Sequence, residues 1–164
     1  MNVTMMGNPI SLCGKQLEVG DKFPDFVLCD NELNPVKSEN LKGVRVFATV
    51  PSLDTGVCDM EIRNFNKKTA ELNGVHIYAV SMDLPFAQTR WCGAAGVKNV
   101  QTLSDYQTHD FGRKTGTLIL GLELLTRAVF VVDAKGVVKY VEYVKEVTTH
   151  PDYERLYAEV EKLL

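Results

Sequence analysis

The sequence lacks the features that mark membrane, secreted and nucleic-acid-binding proteins. Its 164 residues contain no apolar run close to the ~20 residues that cross a bilayer, and the N-terminus lacks the basic stretch that opens a signal peptide. With 18 basic and 21 acidic residues the net charge is -3, and no basic stripe interleaved with aromatic residues is present. We therefore expect a cytoplasmic protein that binds neither membranes nor nucleic acids, folded as one domain over residues 1–164.

Cysteine is scarce, and its positions exclude two common structural roles. The four cysteines, Cys13, Cys29, Cys58 and Cys92, are too few and too scattered for a disulfide scaffold in a chain of this length. The three histidines lie at no metal-ligand spacing from one another or from any cysteine, so a structural zinc site is not expected. The spacing leaves open a transient, catalytic disulfide.

Strand and helix patterns alternate along the chain. The predicted strands cover residues 26–29, 44–50, 75–81, 100–103, 128–132 and 137–144, after an N-terminal β-hairpin within residues 1–19. The predicted helices cover residues 55–72 and 85–91, a turn at 109–114, and a C-terminal helix with Pro151 in its first turn. A βαβ unit followed by a ββα unit predicts an α/β, thioredoxin-like fold: a mixed central sheet flanked by helices, plus the N-terminal β-hairpin.

Cys58 stands where a predicted strand has ended and a predicted helix begins, in the stretch PSLDTGVCDMEIRNF. A thiol is a nucleophile only as the thiolate. A helix N-terminus favours that anion, because its first N–H groups have no partner within the helix and lie at the positive end of the helix dipole. Cys58 is therefore a candidate nucleophile. The alternative is a small apolar residue packed at a helix start.

The residues before Cys58 each permit two interpretations. Thr55 either caps the helix, as threonine often does, or bonds the thiolate and orients a substrate. Pro51 either closes the strand or shields the sulfur from water. The position of these residues along the chain is compatible with both roles.

The acidic residues after Cys58 require a compensating cation. Asp59 and Glu61 follow it within one helical turn, and their negative charges would disfavour a neighbouring thiolate. Arg63 is close in sequence, whereas Arg127 opens a predicted strand whose edge can lie over a neighbouring helix N-terminus. The spacing does not choose between these two arginines.

Cys92 is the second candidate, in the stretch TRWCGAAG. The small residues after it predict a marginal helix, and a cysteine on a segment that unfolds locally suits reversible disulfide formation. The alternative is a thiol packed beside Trp91. A thioredoxin-type dithiol is excluded, because Ala95 stands where its second cysteine would be. Cys13 and Cys29 are interpreted as structural.

The segments SLDTGVC (52–58) and RNFN (63–66) resemble the active-site signature of the bacterial thiol peroxidases, the atypical two-cysteine branch of the peroxiredoxins. The resemblance covers essentially the whole chain. It continues in the segments GNP (7–9), GDKFPDF (20–26), RWCGAAG (90–96), SD (104–105), DFG (110–112) and LTRAVFVVD (125–133).

The resemblance implies a role for each matching residue. Cys58 matches the peroxidatic cysteine and Cys92 the resolving cysteine, while Thr55 and Pro51 match residues of the active-site loop. Arg127 matches the strand arginine that holds the thiolate and the peroxide.

The resemblance also implies an activity. We expect reduction of hydrogen peroxide and organic hydroperoxides through a cysteine sulfenic acid and an intramolecular disulfide, with thioredoxin as the reductant. A homodimer is expected, and no metal or organic cofactor is required because sulfur carries the redox change. Two positions depart from the family: Trp91 stands where phenylalanine is usual and Thr115 where an aromatic residue is usual. We expect both to line the substrate pocket or the dimer surface.

Two other functions are compatible with the same sequence. A peroxide-responsive redox relay or chaperone would use a reactive Cys58 but would turn over slowly with thioredoxin. A non-catalytic thioredoxin-like interaction domain would keep all its cysteines packed, and none would be alkylated well below pH 8.

Overall fold

The computed structural model describes residues 2–164, so the start of the predicted hairpin at Met1 lies outside the described residues. In these residues the strands are β1 (Val3–Met5), β2 (Asn8–Ile10), β3 (Val27–Cys29), β4 (Pro35–Lys37), β5 (Val44–Thr49), β6 (Val75–Ser81), β7 (Val100–Ser104), β8 (Leu118–Ile119), β9 (Leu124–Leu125), β10 (Ala128–Val132) and β11 (Val138–Tyr143). The α-helices are α1 (Gly56–Glu71), α2 (Pro85–Ala95), α3 (Asp110–Thr115) and α4 (Tyr153–Glu161).

A seven-stranded mixed sheet forms the centre of the fold, in the order β11-β10-β5-β6-β7-β3-β4. Strands β5, β6 and β7 are parallel, and β10 and β3 flank them in antiparallel pairing. The β5 strand is buried along its whole length, because helices and loops cover both faces of the parallel strands. The predicted α/β, thioredoxin-like fold with a mixed sheet is confirmed.

Two apolar clusters lie on opposite faces of the sheet. One is formed by α1, α2 and α4 and includes Cys58, Phe65, Trp91 and Leu156. The other contains an aromatic group around Phe47, packed beneath α3 and the loop after residue 20. Cys58 therefore belongs to the core layer between α1 and the sheet.

The N-terminal hairpin pairs β1 with β2 in antiparallel register. It occupies only residues 3–10 of the predicted 1–19, because the segment after it contributes a single isolated bridge at Leu12 rather than a strand. The hairpin stands apart from the main sheet as a two-stranded unit.

Three details of the sequence-based prediction are wrong. Helix α2 does not end at Trp91 but runs to Ala95, and Gly96 ends it in the left-handed conformation with φ of 67°. Pro151 lies before the α4 cap rather than in the first turn, since Asp152 is the N-cap and accepts from the Arg155 N–H. The short strands β4, β8 and β9 are absent from the prediction.

None of the helices in residues 2–164 is long and apolar enough to cross a membrane.

Candidate active site

The N-terminus of α1 carries Cys58 in its first turn. Thr55 is the N-cap residue and has an extended backbone, and its Oγ1 accepts from the Cys58 N–H at 3.3 Å. The Cys58 side chain is fully buried, whereas Thr55 and Gly56 beside it are exposed. The cap therefore places the thiol at the positive end of the helix, directly beneath an exposed turn.

The loop between β5 and α1 is fastened by Asp83, which follows β6. The Asp83 carboxylate accepts from Ser52 Oγ at 2.7 Å and from the Leu53 N–H at 2.8 Å. Pro51 begins this loop and is buried. The Thr55 N–H and hydroxyl both donate to the Ser52 carbonyl, each at 3.3 Å. Asp83 thus sets the position of the cap through the loop.

Arg127 reaches the sulfur from the strand side. It lies just before β10, which pairs with β5, and its guanidinium is buried. Its Nη2 donates to Cys58 Sγ at 3.0 Å, its Nε donates to the Val147 carbonyl at 2.7 Å, and its Nη1 is bound to Glu61. The cation beside the sulfur is therefore Arg127, whereas Arg63 is half exposed on the outer side of α1.

Glu61 is the buried counter-ion of Arg127. Its carboxylate pairs with Nη1 of the arginine, and its other oxygen, Oε1, has no hydrogen-bond partner among the described residues. Burial raises the pKa of Glu61 above its ordinary value, and the charge and hydrogen bond of Arg127 oppose that rise. Burying two charges is costly unless they pair closely, so this pair holds both side chains in a defined geometry beside the thiol.

The Asp59 carboxylate is bound by two donors. It accepts from Arg63 Nε at 2.9 Å and from Trp91 Nε1 at 2.8 Å. The exposed Asp54 lies 3.8 Å from Arg90 Nη2. The acidic residues around the sulfur thus each have a cation or donor of their own, which reduces their effect on a thiolate.

Cys92 lies on α2 with its thiol turned toward the sheet. Its Sγ is 3.5 Å from Thr102 Oγ1 on β7, and that hydroxyl donates to Asn31 Oδ1 at 3.0 Å. Cys92 is half buried and packs against the same apolar cluster that contains Cys58. Both are free thiols in this structure.

The other two cysteines have no such surroundings. Cys13 is half buried, and Cys29 is buried in β3 with its thiol 3.5 Å from the Asp30 carbonyl. Burial, and then the charge of Asp30, raises the pKa of the Cys29 thiol, which disfavours its thiolate. Within residues 2–164 no group of His, Cys, Asp or Glu side chains could hold a metal ion.

The two positions that depart from the peroxiredoxin pattern are interior. Trp91 is buried and bonded to Asp59. Thr115 is fully buried in α3, where its hydroxyl donates to the Phe111 carbonyl at 2.7 Å. Both residues are buried in the single chain, and their expected place at the substrate pocket or the dimer surface stays a prediction.

Sequence reasoning missed Asp83 and the Val147 carbonyl, and it identified Glu61 only as an unfavourable charge rather than as the partner of Arg127. Glu61 lies three residues after Cys58 and four before Phe65, on the buried face of α1, and that spacing is the signal that could have identified it. Asp83 follows a buried strand, where a polar side chain at the sheet edge is a candidate for loop anchoring. The Val147 carbonyl is a backbone group and leaves no signal in the sequence.

Comparison with known proteins places this geometry in a family. The Redoxin family model matches residues 18–157. The chain is 53% identical to the thiol peroxidase of Clostridium acetobutylicum over 156 residues, covering 95% of each chain. It is 51% identical to the thiol peroxidase of Halalkalibacterium halodurans, covering 94% of this chain and 93% of that one.

A solved structure agrees closely with the fold. The crystal structure of a peroxiredoxin-like protein from Aquifex aeolicus superposes with a TM-score of 0.92 at 40% identity, covering 99% of this chain and 97% of that chain. The match thus extends over the sheet, the four helices and the N-terminal hairpin. The chain therefore belongs to the Redoxin family, among its thiol peroxidases, and is an enzyme of the peroxiredoxin type.

Proposed function

We propose that the chain reduces hydrogen peroxide and organic hydroperoxides with Cys58 as the peroxidatic nucleophile. One observation carries this proposal: Arg127 Nη2 donates to Cys58 Sγ at 3.0 Å in a buried site at the N-terminus of α1. A cation and a helix N-terminus directed at the same sulfur both favour its thiolate. Cys29, by contrast, has no cation among its hydrogen-bond partners within residues 2–164.

The first step oxidises Cys58. Its thiolate attacks the terminal oxygen of the peroxide, an S–O bond forms, the O–O bond breaks, and the electron pair leaves on an alkoxide or hydroxide that takes up a proton. Arg127, the Thr55 hydroxyl and the N–H groups of the first turn of α1 lie next to Cys58, and in this step they stabilise the charge that develops on the peroxide oxygens. Preorganised donors of this kind often make the greatest single contribution to catalysis. The product on the enzyme is a sulfenic acid.

Cys92 acts as the resolving cysteine in the second step. Its sulfur attacks the sulfenic sulfur of Cys58, and the intramolecular disulfide forms with release of water. A disulfide needs Cα atoms within about 7 Å of each other and sulfurs about 2 Å apart. Because the Cys92 thiol faces Thr102 in the reduced structure, α2 has to release that contact first.

Membership of the Redoxin family supports a proposal for the reductant and for the assembly. We propose that a thioredoxin-type dithiol reduces the disulfide by exchange, that residues 1–164 act as one domain, and that the chain forms a homodimer in the cytoplasm. Thr55 and Pro51 are proposed as the active-site loop residues, with Pro51 shaping the buried start of the loop.

The assignment of Cys58 is tested by steady-state peroxide consumption coupled to thioredoxin. Cys58→Ser is expected to abolish turnover, whereas Cys29→Ser, the matched change at another buried cysteine, is expected to retain it. Turnover that persists in Cys58→Ser contradicts the proposal. Fast oxidation of Cys58 with slow thioredoxin-linked turnover in the wild type would instead favour the redox relay.

A further inference from the structure

The N-terminal hairpin is joined to the loop after β11 by backbone hydrogen bonds, such as that from the Thr4 N–H to the Lys145 carbonyl at 2.8 Å, and by the Glu146 carboxylate. Glu146 accepts from Thr4 Oγ1 at 2.9 Å, from the Met6 N–H at 3.2 Å and from the Gly7 N–H at 2.8 Å. It also accepts from Thr148, through the N–H at 2.9 Å and the hydroxyl at 2.5 Å. Met6 and Gly7 both have positive φ, at 50° and 79°, and this tight turn directs their N–H groups at one anion.

The residue after Glu146 connects this junction to the candidate active site. The Val147 N–H donates to the Thr4 carbonyl at 2.8 Å, and the Val147 carbonyl accepts from Arg127 Nε at 2.7 Å. Residues 144–150 belong to no helix or regular strand, so their position depends on such contacts. The hairpin thus lies two hydrogen bonds away from the guanidinium that contacts Cys58.

The guanidinium is a rigid planar group whose N–H directions are fixed relative to one another. Nε binds the Val147 carbonyl, Nη1 binds Glu61 and Nη2 binds Cys58 Sγ. Fixing the first two acceptors therefore fixes the direction of the third N–H. A displaced Val147 carbonyl would rotate the plane away from the sulfur.

We propose that Glu146 is a positioning residue for peroxide reduction: it fastens the hairpin to the loop, and the Val147 carbonyl held in this way aims Arg127 at Cys58. The inference rests on the proposed roles of Arg127 and Cys58. It gives the N-terminal hairpin a function at the candidate active site.

Glu146→Gln tests the proposal. The glutamine keeps the shape of the side chain but presents an NH₂ group to backbone N–H donors, so at least part of the junction is lost. The second-order rate constant for oxidation of Cys58 by hydrogen peroxide is expected to fall about 10-fold, as for a misdirected preorganised donor. The midpoint of the pH dependence of Cys58 alkylation by iodoacetamide is expected to move to higher pH.

Controls separate positioning from general destabilisation. Glu154→Gln, an exposed residue on α4, is expected to leave both readouts unchanged. Thr4→Val removes one bond to the same carboxylate and is expected to shift both readouts less than Glu146→Gln, in the same direction, which keeps the test available if Glu146→Gln does not fold.

The proposal is overturned if the folded variants react with peroxide and iodoacetamide at wild-type rates and with the wild-type pH midpoint. That result, together with an inactive Cys58→Ser, would reject the role of Glu146 and leave the proposed function intact.

Discussion

Trp91 Nε1 donates to Asp59 Oδ1 across 2.8 Å and so joins α2 to the first turn of α1. Each of these residues is the sequence neighbour of a candidate catalytic cysteine. Arg63 supports the same junction, since it pairs with Asp59 and donates through Nη1 to the Ala95 carbonyl at 3.2 Å. We therefore expect movement of Cys92 toward Cys58 to break the bond from Trp91 to Asp59 and the bond from Arg63 to the Ala95 carbonyl.

Trp91 emission is predicted to report disulfide formation. Trp91 is the only tryptophan of the chain, and it is buried beside Asp59. When α2 releases its contacts, the indole enters a more polar environment, and its fluorescence is expected to change after one equivalent of peroxide, as followed by stopped flow. Cys92→Ser forms the sulfenic acid but no intramolecular disulfide. The fluorescence change that accompanies disulfide formation is therefore expected to be absent in this variant. An identical trace in wild type and Cys92→Ser would contradict this link.

Thr102→Val is predicted to accelerate disulfide formation. The Thr102 hydroxyl bridges Cys92 Sγ and Asn31 Oδ1 in the reduced structure. A neutral hydrogen bond contributes about 0.5–1.5 kcal/mol net, so its removal is expected to speed the release of Cys92 by about 2- to 10-fold. Mass spectrometry of quenched samples measures the amount of disulfide at each time. The same spectra give the amount of the competing sulfinic acid. Thr102→Ser keeps the hydroxyl and should match the wild type; equal rates in all three proteins would show that the contact does not hold α2.

Glu61→Gln is predicted to change how stability depends on pH. The pKa of Glu61 is raised in the folded state above its ordinary value of 4.5, so the folded protein binds a proton more tightly there than the unfolded chain does. The free energy of unfolding of the wild type therefore falls as pH rises above 4.5, by at most about 1.4 kcal/mol per pH unit from this group. Glu61→Gln lacks this titration, so its free energy of unfolding is expected to rise relative to that of the wild type as pH increases.

Urea denaturation of the reduced proteins from pH 4.5 to pH 8 measures this difference. Glu71→Gln, at the exposed end of the same helix, is the matched control. Its free energy of unfolding should change with pH in the same way as that of the wild type. A difference between Glu61→Gln and the wild type that stays constant over this range would show that the Glu61 pKa is not raised.

Regular elements were predictable where local sequence alone determines them. Strands β6 and β10 have the predicted bounds: β10 is an apolar run between Arg127 and Asp133, and β6 is apolar apart from His76 and Ser81 and begins directly after Gly74. Helix α2 passes through Gly93 against its weak propensity. A tertiary contact supports its last turn: Arg63 Nη1 donates to the Ala95 carbonyl at 3.2 Å. The two-residue strands β8 and β9 form through their pairing with each other, which no local pattern encodes.

The candidate site was predictable only in part. The helix-start position of Cys58 follows from spacing. Capping was one of the two roles that the spacing allowed for Thr55, and Thr55 is the observed N-cap. Spacing alone did not choose between Arg63 and Arg127 as the cation beside the sulfur. That choice depends on the antiparallel register that sets Ala128 opposite Thr49. That register, like the contact between Val147 and Arg127, arises from residues far apart in the chain.

The most direct test of the account is to map the disulfide in the protein after one equivalent of hydrogen peroxide. The reduced structure holds four free cysteines. Non-reducing digestion and mass spectrometry are predicted to yield one cross-linked peptide pair that joins Cys58 to Cys92 within a single chain, and to yield none in Cys58→Ser. A disulfide from Cys58 to Cys13 or Cys29, or oxidation that leaves Cys58 as a free thiol, would contradict the account.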